Sequence, residues 1–296
     1  MVSFIKFYAA GAAEREEIMK DYTKTLPEHI EKYIGENDLF LEIYEGTAHN
    51  GESGNKPPLL FVHGAYTGSW MWSKYIPHFV REGWKCYVMN LRSNYRSRVL
   101  DMTRLSFEDY LEDIKEVINE ITNDLGEPPV ILGFSMGGIL CQKLAETEAL
   151  KGLVLIDSSV SRQVYEKVPY ENRNTDAPGI VVPAPARTEQ SSMDESAEDI
   201  AFQKKYLAME STMAFRACSF PFGAKDGISV DSSLITCPCL VIRAVNSEED
   251  ERCGKAEAEH LNAEYTGLEK TTHTGLLVGQ RYKEGVDRIL EWLSLI

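Results

Sequence analysis

Five short apolar runs set the architecture before any motif is considered. They are PPLLFVHG (57–64), WKCYVMNL (84–91), PPVILGF (128–134), GLVLID (152–157) and PCLVIR (238–243), apolar at consecutive positions rather than at every second one. A strand with that pattern is buried on both faces. Helical patterns lie between most of them. In the clearest, SFEDYLEDIKEVINEI (106–121), the apolar residues from Phe107 to Ile121 step by three and four, behind a Ser106–Asp109 pair that resembles a capping box. Strands alternating with helices predict an α/β fold: a mostly parallel central sheet flanked by helices on both faces. NDLFLEIYEG (37–46) reads as an extra strand near the edge.

The alternation breaks between GLVLID and PCLVIR. Residues 158–200 are rich in Pro, Ser and acids, and FQKKYLAMESTMAFRACSF (202–220) is helical in character. A long insertion of this kind is usually a lid or binding loop, and here it would cover the carboxyl ends of the strands, where open α/β sheets bind ligands. The expected organisation is therefore a core of residues 1–157 and 237–296, with 1–35 as an N-terminal extension, and an inserted lid at 158–236.

The formal net charge of −15 disfavours nucleic acid and anionic lipid as partners. Apolar residues make up 43%, enough for a large core. Six cysteines in a chain of 296 residues do not make a disulfide framework. Cys86 and Cys141 sit in apolar runs, as small hydrophobes do. Cys237, Cys239, Cys253 and His260 can be drawn as a metal site, but their spacing fits no common zinc pattern, so no metal is expected. The start MVSFIKFYAAGAA lacks a basic leader and is too short to span a bilayer. A cytoplasmic protein without a membrane span is expected; an interfacial anchor at residues 1–13 stays open.

The chemistry gathers at GFSMGG (133–138), which follows the apolar run PPVIL and precedes the helical ILCQKLAE. It fits Gly-x-Ser-x-Gly and not the dinucleotide fingerprint Gly-x-Gly-x-x-Gly. A serine lifted on a sharp strand-to-helix turn needs small neighbours, and the helix N-terminus adds partial positive charge beside its oxygen. LLFVHG ends in His63-Gly64-Ala65, followed by YTGSWMW.

With these pieces the chain resembles an α/β-hydrolase of the cofactor-free serine esterase/lipase type, over residues 40–157 and 238–296. The resemblance implies the α/β-hydrolase fold, Ser135 as nucleophile, an oxyanion hole from the Ala65 and Met136 N–H groups, and no cofactor. Each such donor is worth roughly 10²–10³ in rate. His63 precedes the hole and reads as a turn-stabilising residue rather than a base. Tyr66, Trp70, Met71 and Trp72 either line an acyl pocket, which makes Tyr66 and Trp70 substrate-binding candidates, or pack under the lid. The base falls on His273 in KTTHTGLLVGQRY, before a final helix from Arg281 to Leu295.

The acid departs from the family pattern. Counting from PCLVIR puts Ser247 at the usual aspartate position, and serine cannot stabilise an imidazolium. Asp250 is the first candidate, Glu248 the second, and Asp157, at the end of GLVLID, a further one. NLRSNYRSR (90–98) also lacks the glycines its relatives carry, so a different backbone turn is expected there. Its Arg92, Arg96 and Arg98 either bind a substrate anion or pair with local acids. The expected partner is a small-molecule substrate with an apolar acyl part and, at most, a second copy in a homodimer. The implied function is hydrolysis of an ester or similar acyl bond through an acyl-enzyme. Thioesterase, acyltransferase or C–C hydrolase chemistry, or a non-catalytic binding protein, stay open.

Overall fold

The computed structural model describes residues 20–47, 56–170, 181–188, 193–220 and 223–296. The anchor considered at residues 1–13 and parts of the 158–236 segment lie outside them. All five apolar runs are strands: β3 (Leu59–Val62), β4 (Cys86–Met89), β5 (Val130–Phe134), β6 (Gly152–Ile156) and β9 (Cys239–Val245). With β1 (Ile30–Ile34), β2 (Leu39–Tyr44) and β10 (Glu264–Glu269) they lie in an eight-stranded sheet of order β1-β2-β4-β3-β5-β6-β9-β10, parallel from β4 to β10 and antiparallel at β1 and β2.

The double burial read from the sequence is visible residue by residue. Leu60, Val62, Ile131, Leu153, Leu155 and Val241 face one core, with α2 (Phe107–Leu125) and α3 (Met136–Leu144). Their neighbours Leu59, Phe61, Val130, Leu132, Val154, Ile156, Leu240 and Ile242 face the other, with α1 (Ile76–Arg81) and α9 (Tyr282–Leu293). Alternate side chains of a strand point to opposite faces, so a run without polar residues needs cover on both. The capping box at Ser106 and Asp109 is formed at the start of α2.

The run at 37–46 is β2, which lies one place in from the edge and is buried throughout; the edge is β1. The second edge strand, β10 (Glu264–Glu269), has the sequence EYTGLE and no apolar run to mark it. Between β6 and β9 stand α4 (Arg162–Lys167), β7 (Val181–Val182), α5 (Ala197–Tyr206), β8 (Glu210–Ser211) and α6 (Thr212–Ala217). The stretch expected to be helical at 202–220 is thus broken by β8, which pairs with β7. α7 (Glu248–Leu261) and α8 (Gly275–Val278) flank β10 in the chain. Among the described residues no helix is long and apolar enough to cross a membrane.

Candidate active site

Ser135 stands between β5 and α3 with φ 54° and ψ −120°. A non-glycine residue there costs about 1–3 kcal/mol and persists only where its surroundings enforce it. The enforcement is close backbone packing. The Ser135 N–H donates to the Ile156 carbonyl at 3.1 Å, and its own carbonyl accepts from Gly138 and Ser159 N–H groups at 2.9 and 3.0 Å. A Cβ on Gly137 would lie 2.4 Å from the His63 carbonyl oxygen, and one on Gly64 would lie 2.8 Å from Ser135 Cβ. The glycines let the helix, β3 and the turn after β3 touch.

That turn carries the second element. His63 is fully buried; its Nδ1 lies 2.8 Å from the Gly64 carbonyl and its Nε2 accepts from the Leu91 N–H at 3.1 Å. Burial pushes its imidazole down to about 4, so it is a neutral structural bridge, as expected. Among the described residues no protein acceptor faces the Ala65 or Met136 N–H. Met136 begins α3, where the helix offers its amide no partner.

His273 lies in the loop between β10 and α8, stacked on Phe134 with ring centroids 4.6 Å apart. Its Nδ1 is 2.6 Å from Asp157 Oδ2. An ionised carboxylate only accepts, so Nδ1 holds the proton and the neutral ring keeps a lone pair on Nε2. Asp157, at the carboxyl end of β6 with φ 44°, also receives the Ala244 N–H at 3.3 Å, and Arg243 Nε stands 3.7 Å from its Oδ1. Burial alone would raise this carboxyl; the hydrogen bond and charge of His273, the Arg243 charge and the Ala244 N–H together hold it below the ordinary carboxylate range.

The acid facing His273 is therefore Asp157, not Asp250. Asp250 sits in the first turn of α7, where its Oδ2 accepts from the Asn246 N–H at 2.9 Å and its own N–H donates to Ser247, the N-cap, at 3.1 Å. Ser247 and the acids after it serve the helix start, which favours anions. The sequence signal for Asp157 was a carboxylate directly at a strand's carboxyl end.

Ser135, His273, Asp157, Ala65 and Met136 line one cavity of about 410 Å³, with Tyr66, Phe134, Val160, Leu207 and Phe215 among its apolar walls and Arg187 and Arg243 among its polar ones. Trp70 is not in that wall. Its indole is buried against Phe202 and Tyr206 of α5, at ring distances of 5.4 and 5.6 Å, which is the second of the two placements expected for it, under the insertion. The arginines of 90–98 are also absorbed by local acids. Arg92 is buried on Asp113 and Asp109 at 2.7 and 2.8 Å, Arg96 grips both oxygens of Glu31, and Arg98 lies 3.9 Å from Asp38. Ser93 and Tyr95 take the positive φ angles, 65° and 49°, that glycines would ordinarily supply.

Among the described residues one trio could offer three ligand atoms to a metal, His29, Glu31 and Glu42, but Glu31 is already engaged by Arg96 and none of the three lines the cavity.

The family model described as "alpha/beta hydrolase fold" matches residues 57–204, half of the chain. The chain belongs to this family. Protein phosphatase methylesterase 1 of Rattus norvegicus is 29% identical over 111 residues, 36% of this chain and 29% of that protein, and the Homo sapiens protein matches equally. The likeness thus spans less than a third of these relatives' length. Among solved structures, the thioesterase domain from the curacin biosynthetic pathway superposes with a TM-score of 0.61 at 16% identity, covering 91% of this chain and 100% of that one. The monoacylglycerol lipase of Paleococcus ferrophilus gives 0.61 at 18%, covering 86% and 98%. At these identities the structures are similar in fold.

Proposed function

We propose that the protein hydrolyses an ester or similar acyl bond by nucleophilic catalysis at Ser135. The observation that carries this reading is the Asp157–His273 hydrogen bond beside a serine held in a strained strand-to-helix turn. As Ser135 Oγ attacks the carbonyl carbon, His273 Nε2 takes its proton. The imidazolium so formed lies against the ionised Asp157 carboxylate. The carbonyl oxygen becomes an oxyanion held by the Ala65 and Met136 N–H groups. When the tetrahedral intermediate collapses, His273 returns the proton to the leaving alcohol and an acyl-enzyme remains. Water, deprotonated by His273, attacks it in turn; the second collapse releases the acid and restores Ser135. The carboxylate behind His273 weighs against a non-catalytic binding protein.

A cavity of this size, with apolar walls near Ser135, suits an apolar acyl part of modest length. The likeness to the methylesterases favours a small leaving alcohol as the first variant to examine. The test is hydrolysis of p-nitrophenyl esters from acetate upward, then the matching methyl esters. The wild type should turn over with a chain-length optimum, and Ser135→Ala should lose on the order of 10⁶ in kcat. Equal activity in both proteins, or none with any ester and no labelling of Ser135 by a serine-directed phosphonate, would remove the reading.

A further inference from the structure

We propose that the insertion between β6 and β9 is a brace that completes the active site: Asp194 and Glu195 position the loop of His273, and Glu210 positions the loop of the oxyanion hole. The proposal rests on the triad reading above.

Residues 270–274 lie outside both β10 and α8, so their backbone and hydroxyl groups need other partners. Asn246 Nδ2 meets the Thr271 carbonyl and N–H groups of α8 meet those of Thr272 and Thr274; the insertion provides partners for the Thr272 N–H and for the three threonine hydroxyls. Asp194 accepts from Thr271 Oγ1 at 2.6 Å, from the Thr272 N–H at 3.0 Å and from Thr272 Oγ1 at 3.0 Å. Glu195 Oε2 stands 3.0 Å from the same Thr272 Oγ1, whose one proton the two carboxylates share, and Glu195 Oε1 accepts from Thr274 Oγ1 at 2.8 Å, so Glu195 holds the residues on both sides of His273. Arg187 Nη2, 2.7 Å from both Glu195 oxygens, and Gln203 Nε2, at 2.6 Å, complete the group from within the insertion. Asp194 and Glu195 are themselves buried.

The other loop is held in the same manner. Glu210 is fully buried and receives Tyr110 Oη of α2 at 2.6 Å, its neighbour Ser211 N–H at 2.8 Å and the Tyr66 N–H at 3.2 Å. The Tyr66 carbonyl accepts from the Ala208 N–H at 3.0 Å. Tyr66, next to Ala65, has φ 67°, a strained setting that needs enforcement from outside. The insertion clamps both ends of this residue.

These ties differ in destination from the insertion's other attachments. Asp199 binds Tyr22 and Lys74, Lys205 binds Asp21, and Ser211 Oγ binds the Leu105 carbonyl, all on the scaffold. Asp194, Glu195 and Glu210 end on the two loops that carry the base and an oxyanion donor. An insertion that swung away would release both.

The test compares Glu195→Gln and Glu210→Gln with wild type, and uses Lys205→Gln as a control on a scaffold tie. Three quantities are read: kcat and KM on a p-nitrophenyl ester, the rate of phosphonate labelling at Ser135, and the downfield proton resonance of the His273–Asp157 hydrogen bond. Both glutamate variants should lose about 10–100-fold in kcat, the cost of a displacement of an ångström or less, while KM stays within about threefold. Glu195→Gln should broaden or abolish the resonance; Glu210→Gln should keep it and still label slowly. Lys205→Gln should behave as wild type. Thr272→Val and Tyr110→Phe each remove one donor and leave the carboxylate in place. They should show the same kcat loss at smaller size, and they decide the matter if a glutamate variant does not fold. Folded variants with kcat within about twofold of wild type, or a loss confined to KM, would overturn the brace. A wild type inert to ester and phosphonate alike would overturn the triad reading instead. The resonance would then still judge the brace, and its persistence in Glu195→Gln would count against it.

Discussion

The nucleophile's side of the cavity and the base's side are built by different means. Ser135 is held by backbone: strand carbonyls and helix amides packed so closely that Gly137 cannot carry a Cβ. His273 is held by side chains brought from far along the chain, Asp157 on its Nδ1 and the 194–195 pair on its neighbours. His273 is half-exposed, with 48% of its side chain accessible, whereas the residues around Ser135 are almost all buried. Steric enforcement is local and survives single polar changes. Polar enforcement is directional, and deleting one partner leaves another buried group unmet.

Asp157→Asn and Asp250→Asn should differ most. Asparagine at 157 keeps the shape but offers an N–H where His273 needs an acceptor, which favours the wrong tautomer. By analogy with the same change in a serine protease, kcat should fall on the order of 10⁴. Asp250→Asn weakens only the charge at the start of α7; turnover should stay within about twofold and stability should fall by no more than about 0.5 kcal/mol. A steady-state assay and a urea titration of both variants check this. The reverse ranking would restore Asp250 and separate the observed geometry from the working acid.

On the other side, Gly137→Ala puts a methyl group 2.4 Å from the His63 carbonyl oxygen and 2.6 Å from that of Val62 at the end of β3. Neither β3 nor α3 can give way cheaply, because each is packed on the central sheet. The expected cost is about 1–3 kcal/mol, seen as a lower melting temperature, with kcat falling as the Ser135 turn shifts. Unchanged stability would mean that the turn is looser than its φ of 54° implies.

The same contrast explains what could be read from the sequence. The elbow, the His63 turn and the doubly buried strands are local patterns, and each is where residues 57–157 and 238–243 suggested. The edge strand β10 was not legible, because a half-exposed strand such as EYTGLE carries no apolar signature. Among the wall residues, Tyr66 is in place; Trp70 is not, because its direction depends on α5 covering it. The acid was misjudged for a physical reason. The cluster Glu248-Glu249-Asp250 has the composition of a helix N-terminus as much as of a triad loop, and only the placement of β6 beside β9 shows that Asp157 is the carboxylate within reach of His273. Asp194, Glu195 and Glu210 left no trace, since a buried acceptor is defined by donors distant in sequence.

The smallest effect concerns acid. Asp157 titrates below its ordinary range in the folded protein, because the contributions of His273, Arg243 and Ala244 outweigh burial. A carboxylate whose folded value is depressed contributes stability that is fully present above its unfolded value, about 3.9, and is lost as the pH falls through the folded value. The wild type should therefore exceed Asp157→Asn in stability by a constant margin from neutral pH down to about 5, and the margin should close only below about 4. Urea titrations of the two proteins at intervals from pH 7 to 3 measure it. The Ser135 side does not enter this margin, since the buried His63, pushed down to about 4, is common to both proteins. A margin that began to close near pH 6 would instead show that Asp157 is not held below the ordinary carboxylate range, and that its partners do not outweigh its burial.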